Sequence, residues 1–334
     1  MQSNEIRIFV TGATGFVGSH IVALLLAEGY KNITCLTRRD VDPTFNGFDV
    51  AKVSWISGDI LDSPLLEECL NDTDVVIHTA AMVTFSTENK KKQLEIARTG
   101  TANIVNASIT NGVQKMIHIS SVAAIGRKKQ IEDIDEKVIY SHSKYDTTYG
   151  LSKFLSEQEV WRGHAEGLPV TILNPSMILG VGNWDKTSVQ IFKKVYHGLP
   201  YYPAGTTGWV DVQDVANAAL KSVKEDYNGE RFIISAENIP YEQVMSEIAS
   251  HLQVKAPSKA LSPALFGVAW RLEAIRSFFS RKPPVITRET IYSTSVQSHY
   301  DNSKSVRIMA MTYRPVSQTI QEVSKAFLQT YQMK

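Results

Sequence analysis

The run Thr11-Gly12-Ala13-Thr14-Gly15-Phe16-Val17-Gly18 stands directly behind a short apolar stretch, Ile6 to Val10. It precedes an amphipathic run, Ser19 to Glu28, with Ile21, Leu24, Leu25 and Ala27 on one side. This reads as strand, tight turn, helix. The glycines let backbone close in on a pyrophosphate, and the helix start offers free N–H groups and a positive dipole end. The spacing is G-x-x-G-x-x-G rather than the more general G-x-G-x-x-G, and such a turn can also serve packing alone.

A second feature narrows the first. Tyr149-Gly150-Leu151-Ser152-Lys153 puts a phenol and an ammonium four residues apart, on one face of a helix. Phe154, Leu155, Glu157, Val160 and Trp161 continue the helical rhythm. Between turn and helix lies Ile117-His118-Ile119-Ser120-Ser121, an apolar strand that ends in two hydroxyls. A Tyr-x-x-x-Lys alone is most often a solvated helix face. Behind a dinucleotide turn and a hydroxyl-tipped strand it points to chemistry.

The 334 residues allow one large or two interlocked domains. A hydrophobic content of 43% supplies a core, and a net charge of +1 disfavours nucleic acid as a partner. Cys35 and Cys69 have no metal spacing and are expected to be reduced and buried, in a strand and a helix. His118 reads as a core histidine and His78 as a turn residue, so no metal is expected. There is no signal peptide and no run of membrane-spanning length, so the expected location is cytoplasmic. The charge run Lys90-Lys91-Lys92 reads as a solvated helix face.

Strands are expected at 5–10, 32–37, 52–57, 74–78, 115–119 and 169–174, with helices near 16–28, 63–70, 88–111 and 149–166 between them. Near-continuous apolar strands such as Val75-Val76-Ile77 fit a parallel sheet covered on both faces. The fold class is α/β: a Rossmann-type doubly wound parallel sheet with a smaller C-terminal substrate lobe. The expected division is 1–174 for dinucleotide binding and 175–334 mainly for the lobe, with about 206–235 returning to the first unit. Prolines from Pro175 onward break the second half into shorter pieces. Helices are expected there at 185–198, 212–225, 241–252, 262–280 and 316–331.

In order along the chain come Thr11–Gly18, Gly58-Asp59, His78-Thr79-Ala80-Ala81, Ser120-Ser121, Tyr149–Lys153, Asn174–Gly180 and Trp209–Ala216. With these segments the chain resembles an extended short-chain dehydrogenase/reductase over nearly its whole length. Within that family it is similar to dihydroflavonol-4-reductase-like carbonyl reductases, including the tail Pro284–Glu289 and Tyr300–Lys304. The resemblance implies that Gly12, Gly15 and Gly18 shape the cofactor turn, with Thr14, Phe16 and Val17 in backbone contact. It implies Asp59 on the adenine amino group and Ile60 on its ring. Thr79, Ala80 and Ala81 would line the ribose and nicotinamide side, and Asn174, Pro175 and Ser176 complete the cofactor set. Ser121, by its distance to Gly126, matches the family serine, and Ser120 is its neighbour. One departure stands out. Ala97 occupies the place, ahead of Gly100-Thr101, where relatives carry an Asn that supports a lysine-linked water. That bears on the proton relay rather than on hydride transfer.

The end of the second strand, Cys35-Leu36-Thr37-Arg38-Arg39-Asp40, bears on cofactor choice. An acidic residue there would accept from the ribose 2′-OH of NAD. Arg38 can instead pair bidentately with a 2′-phosphate, which favours NADP. The other reading has Arg38 and Arg39 facing water and Asp40 taking the ribose of NAD. Lys153 is expected near the nicotinamide ribose and the Tyr149 hydroxyl, lowering the phenol's pKa from ~10. Tyr149 then acts as general acid or base and Ser121 steadies the carbonyl oxygen.

Met82, Val83 and Met177 are expected to face a small-molecule substrate, as is Phe85, with Ser121 and Tyr149 at the reacting group. Trp184, Tyr201 and Tyr202 are lid or core. The apolar stripe Leu265, Phe266, Val268, Ala269, Leu272, Ile275, Phe278, Phe279 packs on the lobe or pocket, meets a membrane surface, or meets another subunit. The expected function is NADP(H)-dependent interconversion of a carbonyl and an alcohol. A nucleotide-sugar epimerase or dehydratase with tightly bound NAD is the first alternative. Such relatives carry Arg where this chain has Thr207, although Asn174 keeps that reading alive. A non-catalytic dinucleotide sensor is the second, and the Tyr149–Lys153 pair argues against it. Helices 88–111 and 149–166 resemble those that pair subunits in this family, which makes a homodimer an expectation.

Overall fold

The computed structural model describes residues 5–38, 41, 47–80, 90–126, 133–140, 146–261 and 293–332. The first half alternates β1 (Arg7–Thr11), α1 (Phe16–Ala27), β2 (Asn32–Thr37), β3 (Ser54–Ser57), α2 (Ser63–Cys69) and β4 (Val75–His78). It continues with α3 (Lys90–Glu95), α4 (Thr101–Thr110), β5 (Lys115–Ile119), the short β6 (Asp133–Ile134), α5 (Thr148–Ala165) and β7 (Val170–Pro175). A five-residue π segment, Ile96–Gly100, joins α3 to α4, so the single helix expected there is interrupted.

The main sheet has seven strands. Six of them, in the order β7-β5-β4-β1-β2-β3, come from the first half, and β11 (Glu230–Ile234) adds the seventh beside β7. Every pairing in it is parallel. Strand order reverses between β1 and β4, which opens a crevice at the carboxyl ends of the strands. The apolar runs explain the layering. Ile8, Val10, Val75, Ile77, Ile117 and Ile119 pack on one face against α1 and α7 (Val212–Lys224). Phe9, Val76, Met116, Val170 and Ile172 pack on the other, against α2, α4 and α5. Burying such a side chain stabilises by about 1.5–3 kcal/mol.

The second half adds β8 (Met177–Leu179), α6 (Gln190–Tyr196), β9 (Tyr201–Pro203), β10 (Thr206–Asp211), β12 (Glu237–Pro240), α8 (Tyr241–His251) and β13 (Lys259–Leu261). It closes with β14 (His299–Tyr300), α9 (Ser303–Ile308) and α10 (Val316–Gln332). The lobe has its own core of Leu179, Phe192, Trp209, Tyr241, Val244, Ile248, Ile320 and Phe327. Trp184 lies edge-on to Phe327 at 5.1 Å and, with Tyr202, packs on this core. Lobe and sheet are joined at β10. Asp211 caps α7 through Gln213 N and accepts from Thr319 Oγ1 at 2.7 Å. Asp214 accepts from Arg314 N at 3.0 Å, and burial raises its carboxyl to about 6. The helix expected at 262–280 and its apolar stripe, and the tail segment Pro284–Glu289, lie outside the described residues. Cys35 is buried, with its thiol pushed up to about 12, whereas Cys69 at the end of the short α2 is half-buried rather than buried.

Two buried histidines stack in the sheet, His78 on β4 and His118 on β5, with ring centres 5.2 Å apart. Burial holds the His78 ring down to about 3 and the His118 ring well below its ordinary value. The native state therefore refuses protons that the unfolded chain accepts below its histidine pKa of ~6.5. Stability is full above that pH and is lost as pH falls through it. His118→Asn removes one such group. The drop in Tm between about pH 7 and pH 5, read by thermal melts, narrows by a few degrees in this variant.

Candidate active site

The glycine turn folds onto itself at the carboxyl end of β1. Gly12 has φ +76°, and a Cβ on it would lie 2.5 Å from Thr79 Oγ1 and 2.8 Å from Ala80 N. A Cβ on Gly18 would lie 2.2 Å from the Gly12 carbonyl oxygen. Gly15 precedes α1 as its cap residue, with no side-chain cap bond and no acidic residue in the first turn. The first N–H groups of the helix, those of Phe16, Val17 and Gly18, thus have no intrahelical acceptor. These free donors and the dipole of α1 suit an anion by charge. Thr14 is exposed on the turn. Phe16 reaches across to the lobe, where a Cβ on Gly182 would lie 2.9 Å from its ring.

Neighbouring strand ends complete the cleft. Thr79 donates through Oγ1 to the Thr11 carbonyl at 2.7 Å, and Ala80 N donates to Thr11 Oγ1 at 3.3 Å. Arg38 and Asp59 come together beyond β2 and β3, 4.0 Å apart, both exposed. Ile60 is buried, and a Cβ on Gly100 would lie 2.4 Å from its side chain. Ala81, Met82, Val83, Phe85, Arg39 and Asp40 lie outside the described residues.

The hydroxyl, phenol and amine converge from two elements. Ser121 follows β5 and accepts from Ala123 N at 3.2 Å, capping a short 3-10 turn, Val122–Ala124. Thr147 caps α5 through Gly150 N at 2.9 Å, and a Cβ on Gly150 would lie 2.9 Å from the Ala123 carbonyl. The small residue lets the helix start press against the serine turn. Lys153, only 5% exposed, donates to the Ile119 carbonyl at 2.8 Å. Burial lowers its ammonium to about 8, and the Glu157 carboxylate opposes that shift. Tyr149 is half-buried, and its phenol is pushed up by burial, opposed by a hydrogen bond with Ser121. The shift is opposite to the sequence-based expectation. Desolvation of the phenol outweighs its hydrogen bond with Ser121, and the Lys153 ammonium is directed at a backbone carbonyl.

The residues after β7 sit deeper. Asn174 is fully buried and donates through Nδ2 to the Ser121 carbonyl at 2.8 Å and to Glu157 Oε1 at 2.6 Å. Pro175 ends β7, and Ser176 N donates to the Ile234 carbonyl at 3.0 Å. Met177 is half-buried at the start of β8. Sequence reasoning gave no role to Glu157 or Arg231, whose side chains pair at 3.3 Å with the carboxylate 1% exposed. The available signal was a carboxylate one turn beyond Lys153 on the same helix face. The π segment was also missed. It presents the Ala97 carbonyl to Ser156 Oγ at 2.9 Å, beside α5. Among the described residues no cluster of His, Cys, Asp and Glu could hold a metal ion, and no helix is long and apolar enough to cross a membrane.

Known proteins share this architecture. A model of the NAD dependent epimerase/dehydratase family matches residues 8–235. The protein of Synechocystis sp. named "Putative dihydroflavonol 4-reductase" is 27% identical over 323 residues, 93% of this chain and 92% of its own length. Cinnamoyl-CoA reductase 1 of Petunia hybrida is 28% identical over 64% of this chain and 67% of its own length. The crystal structure of gox2253 superposes with a TM-score of 0.83 at 26% identity, covering 98% of this chain and 99% of that one. UDP-glucose 4-epimerase of Thermotoga maritima shares the fold, with a TM-score of 0.77 at 18% identity over 98% of this chain and 100% of its own. With its glycine cradle, its reversal of strand order and a family match over more than half its length, the chain belongs to the NAD dependent epimerase/dehydratase family, and is an NAD(P)-dependent enzyme of the extended short-chain dehydrogenase/reductase type.

Proposed function

We propose that the chain reduces an uncharged, largely apolar aldehyde or ketone to the alcohol with NADPH. The observation that carries this reading is the convergence of Ser121, Tyr149 and a buried Lys153 beside the glycine cradle. Bound, the nicotinamide cofactor supplies the hydride. The chain's own residues do the rest. Gly12, Gly15 and Gly18 with the start of α1 hold the pyrophosphate, and Asp59 and Ile60 hold the adenine side. Thr79 and Ala80 would line the ribose side, and Asn174, Pro175 and Ser176 would complete the set. Burial keeps the Tyr149 phenol protonated at neutral pH, as a proton donor to a carbonyl oxygen must be. Ser121 donates to the same oxygen. The Lys153 ammonium then steadies the phenolate left behind. Met177, half-buried at the start of β8, would give the pocket an apolar side.

Two observations favour NADPH and a carbonyl substrate. Arg38 is an exposed guanidinium just past β2, held loosely at 4.0 Å by the exposed Asp59, and so can turn to a 2′-phosphate. Thr207 is buried on β10 and offers no cation to a substrate diphosphate, which separates this site from the sugar-nucleotide reading. Relatives named as reductases agree with that choice. The test is oxidation of NADPH with a panel of aldehydes and ketones, run beside a panel of nucleotide sugars. Turnover of nucleotide sugars alone would overturn the reading.

Two variants check the assigned roles. Tyr149→Phe retains NADPH binding, measured by fluorescence titration, and loses about 10²–10⁴-fold in kcat. Arg38→Gln raises the KM for NADPH about tenfold and leaves that for NADH within about twofold, since a charge-assisted phosphate contact is worth roughly 1.5–3 kcal/mol at most.

A further inference from the structure

Glu157 is an ionised-type side chain with 1% exposure, in a place where a lone charge would be costly. It is fully engaged. Oε1 accepts from the Ser120 hydroxyl and from Asn174 Nδ2, and Oε2 faces Arg231 at 3.3 Å. Three bonds converge on the end of β5. Lys153 binds the carbonyl of Ile119, Glu157 binds the hydroxyl of Ser120, and Asn174, itself held by Glu157, binds the carbonyl of Ser121. Lys153 and Glu157 are one turn apart on α5, so one helix face holds Ile119 and Ser120 directly and reaches Ser121 through Asn174 of β7.

We propose that Glu157 is a positioning residue: it is the counterion that keeps Lys153 an ammonium, and through Ser120 and Asn174 it fixes the strand end that carries Ser121. This rests on the reading of Tyr149, Lys153 and Ser121 as the reducing machinery. The charges around the pair are few. Lys153 interacts with Glu157 from α5, with His118 from β5 and with His78 from β4, and both histidines are neutral; Tyr149 lies one turn before it on α5. Glu157 is faced by Lys153 and by Arg231 from β11. Arg231 also donates to the carbonyls of Glu136 and Val138, so its position does not depend on Glu157 alone. The Glu136 carboxyl accepts from Ile233 N, and Lys304 lies near it. Burial pulls the Lys153 ammonium down to about 8, and the Glu157 carboxylate is the charge that opposes that shift, beside the hydrogen bond to the Ile119 carbonyl. Without that carboxylate the lysine gives up its proton at lower pH.

The experiment titrates the Lys153 side chain in the cofactor-free protein by 13Cε-lysine NMR, the resonance being assigned by its loss in Lys153→Met. The same variants are then followed through the alkaline limb of kcat for NADPH-dependent carbonyl reduction. In Glu157→Gln both the lysine titration and the limb move down by about one to two pH units, and Glu157→Asp restores them. A lysine that titrates within about 0.3 units of wild type in Glu157→Gln overturns the proposal. Where Glu157→Gln does not fold, Arg231→Gln reads the same circuit with the opposite sign. Loss of the competing guanidinium moves the lysine titration up, and an unmoved lysine overturns the proposal. The NMR titration needs no turnover. A shifted lysine in a protein inactive on every carbonyl therefore refutes the proposed reaction and leaves the role of Glu157 standing.

Discussion

A lysine ammonium almost wholly removed from water has to be paid for by partners, and those of Lys153 organise the molecule around it. Its hydrogen bond to the Ile119 carbonyl joins α5 to the end of the central strand β5. That bond is possible because α5 lies close to the sheet, and α5 lies close because its buried face is small. Gly150, Ser152, Ser156 and Gly163 occupy the positions where bulk would push it away, and a Cβ on Gly163 would lie 2.6 Å from Val105 of α4. A polar contact at the site is thus secured by packing along the whole helix.

The cleft opposite that contact follows from strand order. A parallel sheet whose order reverses between β1 and β4 must leave a gap between the loops that follow them. Gly12 and Thr79 close the floor of the gap. The lobe then has to be held at one distance from it. Two buried carboxylates, Asp211 and Asp214, tie the start of α7 to Thr319 and Arg314 near α10, and Phe16 is packed against Gly180 and Gly182 from the other side. The glycine turn is therefore touched directly by the second half of the chain.

Under the proposed reaction, the electrostatics of the site suit reduction of a carbonyl. A phenol raised by burial gives up a proton only when a negative charge forms next to it, so it serves an acid better than a base near neutral pH. A lysine lowered by the same burial needs a carboxylate within one turn to keep its charge. Desolvation acts on both groups, and hydrogen bonds and counterions decide how far each moves.

Much of this was legible in residue order. The glycine spacing and the apolar strands identify the fold, and the Tyr149–Lys153 interval marks the groups proposed to react, because periodicity and turn chemistry are local properties of the chain. Other features were not legible. Glu230–Ile234 joins the sheet from far along the chain, and α3 breaks into a π segment before α4. Glu157 reads as one more charge on a helix until β5, β7 and β11 enclose it. The direction of the Tyr149 shift also depended on burial, which no spacing reports. Sequence by itself determined which groups are present and on which helix or strand they ride. Only the tertiary structure decided which of them lose water and which charges face one another, since desolvation and Coulomb energy depend on distances between segments remote along the chain.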